Sequence, residues 1–441
     1  MLDRLSSLET FGIKLGLENI SRLCEALGHP ERSFATLHVA GTNGKGSVTA
    51  MVHAALGSAG LRTARYTSPH LADITERFVI GDSAVDTGVF NAVAHEVLDL
   101  ADRLVASGTL RVLPTFFEAT TAIAFELFRR AAVEVAVIEV GLGGRFDATN
   151  VITPMAGAIT TIGFDHQQHL GSTLGEIAFE KAGIIKPGMT VVAGALPASA
   201  MDVVRRVAKE RGATLVESAT DTNVTAEAID GAARVTIETP RGRYGPLTLA
   251  LRGDHQIGNA VVAARLLEAA AAGGVPVTSA HIERGLSTAH WPARLEYLQL
   301  DLGHRVLLDS AHNAEGAGAL AAHLRRWHPD RLPLVVGIMR DKDVQDILAP
   351  LLPLTSHVVA TSAPTPRALP ADELALRVRS TAERLGLTHL TVDVDEDPMR
   401  AVDRALATAN LVCVAGSIFL VGPLRERLLS RAVAATPPTA R

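Results

Sequence analysis

Short apolar runs of strand length alternate with longer stretches of helical period along most of this chain. The run at 37–40 reads as a buried strand; it ends in the glycine-bracketed turn Gly41-Thr-Asn-Gly44 and passes into a helical pattern over 48–56. Further strand-like runs fall at 62–67, 133–140 and 155–162, and helical patterns at 114–130, 173–184 and 198–211. The near-continuous run at 133–140 suits a parallel strand covered on both faces. Ahead of the first strand, 11–27 reads as an amphipathic helical lead-in interrupted at Gly12 and Gly16.

The pattern then changes. Short alternating runs at 233–238 and 244–251 suggest a small antiparallel excursion. An Ala-rich helix follows, from the segment starting at Gly253 to about residue 272, and a second helix spans Ser279–Thr288. A boundary is expected at 289–292. Beyond it, strands at Arg305–Leu308, 334–338, 357–361, 390–394 and Leu411–Ala415 alternate with helices at 314–326, 343–352, 371–385, 398–408 and 418–433. The expected fold class is therefore α/β. An N-terminal P-loop ATPase-like domain with a parallel sheet covers 1–289, and a smaller C-terminal Rossmann-like α/β domain covers 290–441. No G-x-G-x-x-G is present, so dinucleotide binding is not indicated. The tail 434–441 is expected to be disordered.

With 441 residues there is ample chain for two or three domains. A net charge of −5 gives no basic surface for nucleic acid. Cys24 and Cys413, far apart and without C-x-x-C spacing, read as small buried hydrophobes of a reducing compartment. The opening Met1-Leu-Asp-Arg carries charge at once, unlike a secretory leader. The longest apolar run, 411–421, is too short for a bilayer and is broken at Gly416-Ser417. A cytoplasmic protein with no membrane partner is the expectation.

The candidate chemistry gathers at expected strand ends. Between strand and helix, Asn43, Gly44, Lys45 and Gly46 can turn backbone N–H groups, the helix dipole and one formal charge toward phosphate oxygens. Ser47 can offer a hydroxyl to a phosphate-bound Mg²⁺. The match to G-x-x-x-x-G-K-S/T is imperfect, because Val39 holds the first glycine position and Gly46 separates lysine from hydroxyl. Ser68, Glu139 and His166 follow apolar strands at the same expected sheet edge, where ligands of open α/β sheets bind. An acid such as Glu139 at a strand end commonly serves Mg²⁺; its bland alternative is a surface charge. Lys181 by pattern alone is a solvated helix lysine.

Taken in order, these segments resemble the folylpolyglutamate synthase and dihydrofolate synthase family of Mur-type ATP-dependent amide ligases. The resemblance covers nearly the whole chain. It rests on Gly41-Thr-Asn-Gly-Lys-Gly-Ser47, Ser68-Pro-His-Leu71, Thr115-Phe-Phe-Glu118, Gly141-Leu-Gly-Gly-Arg-Phe-Asp-Ala-Thr-Asn150, Asp165-His166, Glu180-Lys-Ala-Gly-Ile-Ile-Lys186, His255-Gln-Ile-Gly-Asn-Ala260, Trp291-Pro-Ala-Arg-Leu-Glu296 and Asp309-Ser-Ala-His-Asn313.

The resemblance implies ATP phosphates on Asn43 to Gly46, with Asn259, Arg294 and Asp309 as further nucleotide contacts. It implies two Mg²⁺ ions held by Ser68, Glu139, His166 and a carbamylated Lys181, and a pteridine site at Gly12, Ile13, Lys14 and Leu15, at Thr115, Phe116, Phe117 and Glu118, and at Phe146, Asp147 and Ala148. A nitrogen ligand such as His166 is atypical for so hard a cation. His312 is a candidate for orienting the transferred phosphoryl group, with a satisfied loop histidine as the alternative. The implied reaction adds L-glutamate to dihydropteroate and to reduced folates such as tetrahydrofolate through an acyl phosphate, by a monomeric enzyme. Folylpolyglutamate synthesis alone, a muropeptide ligase and a P-loop regulatory ATPase are the alternatives. Gly46 after Lys45 speaks against the muropeptide ligase. The family's usual glycines are replaced by Ala293 and Ser310, with Ala314 where proline is common.

Overall fold

The computed structural model describes residues 2–8, 16–229 and 231–432. Gly12 to Leu15 and the tail 434–441 therefore lie outside the described residues. The chain divides into two units: residues 1–227, 234–250 and 256–290 form one, and 228–233, 251–255 and 291–441 form the other.

The first unit is built on eight strands: β1 (Ala35–Ala40), β2 (Thr63–Tyr66), β3 (Phe78–Ile80), β4 (Ser83–Ala84), β5 (Val135–Glu139), β6 (Ala156–Ile159), β7 (Thr190–Ala193) and β8 (Thr214–Glu217). Their order is β4-β3-β2-β5-β1-β6-β7-β8, parallel from β2 to β8 with an antiparallel edge at β3 and β4. Every residue of β5 is buried, as its unbroken apolar run requires. Helices Glu18–Ala26, Thr87–Ala106 and Phe116–Arg130 share one core with Tyr66, Phe78 and Ile138. Helices Leu174–Ala182 and Ala198–Glu210 pack with Ile159 and Val191. The antiparallel excursion is three-stranded, of β9 (Asn223–Ile229), β10 (Ala232–Thr239) and β11 (Gly242–Thr248), in the order β11-β10-β9. Glu268, on helix His255–Ala272, accepts hydrogen bonds from Tyr244 Oη at 2.7 Å and from Thr239, and is paired with Arg265 at 3.0 Å.

The second unit carries β12 (Glu296–Gln299), β13 (Arg305–Leu308), β14 (Leu332–Val336), β15 (Thr355–Ala360), β16 (Thr391–Val394) and β17 (Leu411–Ala415). Their order is β12-β13-β17-β14-β15-β16, parallel except for β12. Apolar side chains of β13 to β17 meet helices Ala314–Trp327 and Ala371–Arg384 in one core. The Tyr297 hydroxyl lies 2.7 Å from both His323 Nε2 and His328 Nε2, beneath the Arg252 guanidinium at 5.3 Å from the ring centre. Gly231 closes the same cluster: a Cβ there would stand 3.1 Å from Arg252 and 3.3 Å from His323.

Some expected elements differ. The helix expected at 343–352 ends at Leu348 with Ala349 as a right-handed C-cap at φ −53°, because Pro350 brings no N–H to continue the ladder. The one expected at 418–433 ends at Leu429. The strand expected at 334–338 is Leu332–Val336, and Gly337 has already left it. Strand β9 and helix Thr87–Ala106 are not among the expected elements.

Candidate active site

Strands β2, β5, β1 and β6 are adjacent and parallel, so whatever follows their C-terminal ends emerges on one edge. Ser68, Glu139, the loop Gly41 to Ser47 and the segment Thr160 to His166 all sit there. The loop after β1 is tied to the one after β6. Thr42 N–H donates to Thr161 O at 2.8 Å, Asn43 N–H to Thr161 Oγ1 at 3.0 Å, and Thr160 Oγ1 to Asn43 O at 2.5 Å. Gly44, at φ 83°, forms the N-cap of helix Lys45–Ser58. A Cβ there would lie 2.3 Å from Asn259 Oδ1, so the helix carrying Asn259 presses on the loop. Asn259 Nδ2 donates to Gln256 Oε1 at 2.9 Å, and Gln256 Nε2 to Ser47 Oγ at 3.2 Å. Gln256 is a loop-supporting residue not singled out in the sequence, though it precedes Asn259 by three, on one helix face.

Two lysines converge on one carbonyl. Lys45 Nζ donates to Gly41 O and Thr42 O at 3.2 Å each, and Lys181 Nζ to Gly41 O at 2.9 Å. Lys181 is buried, not the solvated helix lysine of its pattern. Burial first, and then the Lys45 charge, lower its amine to about 7, against the opposing pull of Asp165 and Asp147. Such an amine is available in its neutral, nucleophilic form near neutral pH.

Glu139 ends β5 buried, with Oε2 accepting from the Ser68 amide at 3.2 Å. Its charge is felt by the Arg65 guanidinium. A buried carboxylate beside a serine, on the edge that holds the phosphate loop, is an oxygen donor set suited to a hard dication. His166 lies at the same edge. Its side chain is 40% exposed, its φ is 49°, and its Nε2 lies 3.8 Å from Asp165 Oδ1. Among the described residues no cluster of three His, Cys, Asp or Glu side chains could hold a metal.

The residues expected to meet a pteridine divide by exposure. Thr115 and Glu118 are buried and form a capping box at the start of helix Phe116–Arg130, Glu118 Oε2 accepting from Thr115 N–H at 2.8 Å and Thr115 Oγ1 from Glu118 N–H at 3.2 Å. Asp147 and Ala148 are buried as well. Part-exposed rings remain at Phe116, Phe117 and Phe146. Arg77 lies over Phe116 at 5.2 Å and donates through Nε to His70 Nδ1 at 2.9 Å. Arg145 lies over Phe146 at 4.2 Å and over Phe179 at 5.1 Å. Phe117 fills the space that a side chain at Gly141 would need, 2.4 Å from the built Cβ.

Arg294, Asp309 and His312 belong to the second unit. Asp309 is buried, accepts from Leu295 N–H and Ala311 N–H at 2.9 Å each, and has its pKa raised by burial, against the Arg294 charge. His312 Nδ1 lies 2.8 Å from Ser310 O. Ala293 keeps the left-handed backbone natural to glycine, at φ 55°.

The Mur ligase middle domain matches residues 91–267, and the Mur ligase glutamate ligase domain matches 293–418. The chain is 33% identical to the Bacillus subtilis dihydrofolate synthase/folylpolyglutamate synthase, over 95% of this chain and 96% of that protein. It belongs to that family. A Mycobacterium tuberculosis family member is 35% identical over 93% of this chain and 89% of its own. The folylpolyglutamate synthase of that organism complexed with ADP superposes with a TM-score of 0.88 at 33% identity, covering 97% of this chain and 98% of that one. E. coli FolC in complex with DHPP and ADP gives 0.84 at 29% identity, with 98% of each chain covered. The chain spans about half, 51%, of one relative, a probable bifunctional folylpolyglutamate synthase/dihydropteroate synthase of Halobacterium salinarum. No helix among the described residues is long and apolar enough to cross a membrane.

Proposed function

We propose that this chain is an ATP-dependent ligase that joins L-glutamate to dihydropteroate, giving dihydrofolate, and to reduced folates, giving folylpolyglutamates. The observation that carries the reading is the meeting of Lys45 and Lys181 at the Gly41 carbonyl, beside a glycine loop at a helix N-terminus. A regulatory ATPase has no use for the second, buried lysine. A buried amine that can shed its proton beside the charged Lys45 suits a site that binds polyphosphate and can be carbamylated to hold a second dication.

The pterin carboxylate attacks the γ-phosphorus of ATP, ADP leaves, and an acyl phosphate forms. The α-amine of L-glutamate, having lost its proton, attacks the acyl carbon, and phosphate departs with the C–O bond electrons. Asn43 to Ser47 hold the phosphates through backbone N–H groups, and Lys45 neutralises charge on them. Ser68 and Glu139 would hold Mg²⁺, which when bound supplies Lewis-acid neutralisation of the phosphates. His166 would be a further ligand to it. Carbamylation of Lys181 would convert an amine beside Lys45 into an anionic oxygen donor for a second Mg²⁺. Phe116, Phe117 and Phe146 offer ring faces to the pteridine, and Asn259, Arg294 and Asp309 are further nucleotide contacts. His312 orients the phosphoryl group. Thr115, Glu118, Asp147 and Ala148 complete the same pterin-facing segments. We place the enzyme in the cytoplasm as a monomer, in line with its two free, buried cysteines.

Phosphate release from Mg-ATP with L-glutamate, with dihydropteroate or tetrahydrofolate in separate tubes and products weighed by mass spectrometry, tests the proposal. Release that needs both pterin and glutamate, with a gain of one glutamyl mass, is expected in both tubes. Release indifferent to either overturns the ligase reading. A response to tetrahydrofolate alone leaves folylpolyglutamate synthesis only, the activity named for a Lacticaseibacillus casei relative 34% identical to this chain.

A further inference from the structure

Asp147 falls within a segment expected to touch substrate, yet its carboxylate is turned inward. Oδ2 accepts from Leu142 N–H at 2.8 Å; Oδ1 accepts from Thr149 N–H at 3.0 Å and from Thr149 Oγ1 at 2.5 Å. Thr149 Oγ1 in turn lies 2.9 Å from His38 Nε2. Thr149 and His38 are fully buried, and His38 stands on β1 three residues before the phosphate loop. A hydroxyl has one proton. Since Thr149 gives it to the carboxylate, His38 must donate from Nε2, and the order of donation runs His38 to Thr149 to Asp147. Burial, with the Lys186 charge behind it, lowers the His38 imidazole to about 3, so it serves as a neutral donor.

The loop this chain holds reaches both halves of the site. Arg145 N–H donates to Glu180 O at 2.7 Å, one residue before Lys181. A Cβ on Gly144 would stand 2.9 Å from Lys181 O. Asn150 Nδ2 bonds Arg145 O and Gly183 O, and Lys186 Nζ bonds Asn150 O. Phe146 adjoins Asp147 on the same loop. We propose that His38, Thr149 and Asp147 form one buried relay of positioning residues that fixes the Gly141 to Asn150 loop, and with it the Phe146 ring, relative to the strand carrying the phosphate loop. His38 and Thr149 are fully buried behind the site, and Asp147 is the end of the relay that lies in the segment expected to meet the pterin. The inference rests on the ligase reading for its kinetic consequence and on geometry alone for its structural one.

The test compares Thr149→Val, which keeps the shape and removes the hydroxyl, with Thr149→Ser, which keeps the hydroxyl. Steady-state kinetics are run with the pterin and ATP varied in turn, alongside amide hydrogen exchange over 141–150. For Thr149→Val we expect the pterin KM to rise at least tenfold, the ATP KM to stay within twofold, and the Leu142 amide to exchange faster. For Thr149→Ser we expect all three to stay near wild type. Should Thr149→Val fail to fold, His38→Leu breaks the relay from its far end and is read the same way. An unchanged pterin KM, an equal rise for ATP, or a Thr149→Ser variant as impaired as Thr149→Val overturns the relay. Should the wild type form no glutamyl product, the ligase reading falls. The relay is then judged by exchange alone, and unchanged Leu142 protection overturns it.

Discussion

Lys181 shows how a single residue sets stability against function. Its amine is lowered to about 7 in the folded protein, against an unfolded value near 10.4. A lowered base binds fewer protons folded than unfolded between those values, so stability rises with pH across that window and the full penalty applies below pH 7. Lys181→Met, measured by urea unfolding in carbon-dioxide-depleted buffer, should therefore gain on the order of 3 kcal/mol at pH 7, with the gain shrinking toward pH 10. The same variant should lose glutamyl transfer. Gly44→Ala is expected to act the other way, because a Cβ at φ 83° would meet Asn259 Oδ1 at 2.3 Å. A cost of about 1–3 kcal/mol and loss of ATP binding by titration calorimetry are expected. At this scale the sequence is read well where spacing carries the chemistry, as in the phosphate loop. It is read less well where one residue type serves two ends. Thr115-Phe-Phe-Glu118 has the spacing of a capping box, and the structure uses it so. Asp147 has a neighbour two residues on, Thr149, that captures it. Inward and outward carboxylates look alike in a string of letters.

Among the elements, the helix Thr87–Ala106 is the clearest omission from the expected set. Its buried Phe90, Val93, Ala94, Val97, Leu98 and Ala101 follow helical spacing, and Asp86 caps its start. The signal was present, but no motif lies on it to draw the eye. Strand β9 is harder, since most of its residues are exposed and no apolar alternation marks it. The parallel strands β1, β5, β6, β14 and β17 were legible because burial on both faces leaves them largely apolar, whereas the parallel β7 and the part-exposed β8 were not among the expected strands. Glu268 couples helix His255–Ala272 to the antiparallel sheet through Tyr244 and Thr239. Tyr244→Phe removes a donor to that buried carboxylate and should cost about 1.5–3 kcal/mol in denaturant unfolding, with the active-site kinetics little changed.

For the whole molecule, nucleotide binding should appear as added stability. Mg-ADP at 100 times its dissociation constant is expected to add about 2.7 kcal/mol to the wild type. It should add nothing to Gly44→Ala, as thermal unfolding with and without nucleotide would show. The alternation of strand and helix made two α/β units legible from the sequence, but not the way they share the chain. Residues 228–233 and 251–255 precede residue 291, yet belong with the second unit.

That sharing bears on synthesis. Chains generally fold domain by domain as they leave the ribosome, N-terminal part first. Here the Arg252 segment emerges before Tyr297 and before the helix bearing His323 exists, so it waits undocked while translation continues. A nascent chain stalled at residue 290 would hold the first unit's sheet complete and still display a strap with nothing to grip. Synthesis of the second unit's core, more than completion of the first unit, decides when the Arg252 segment docks.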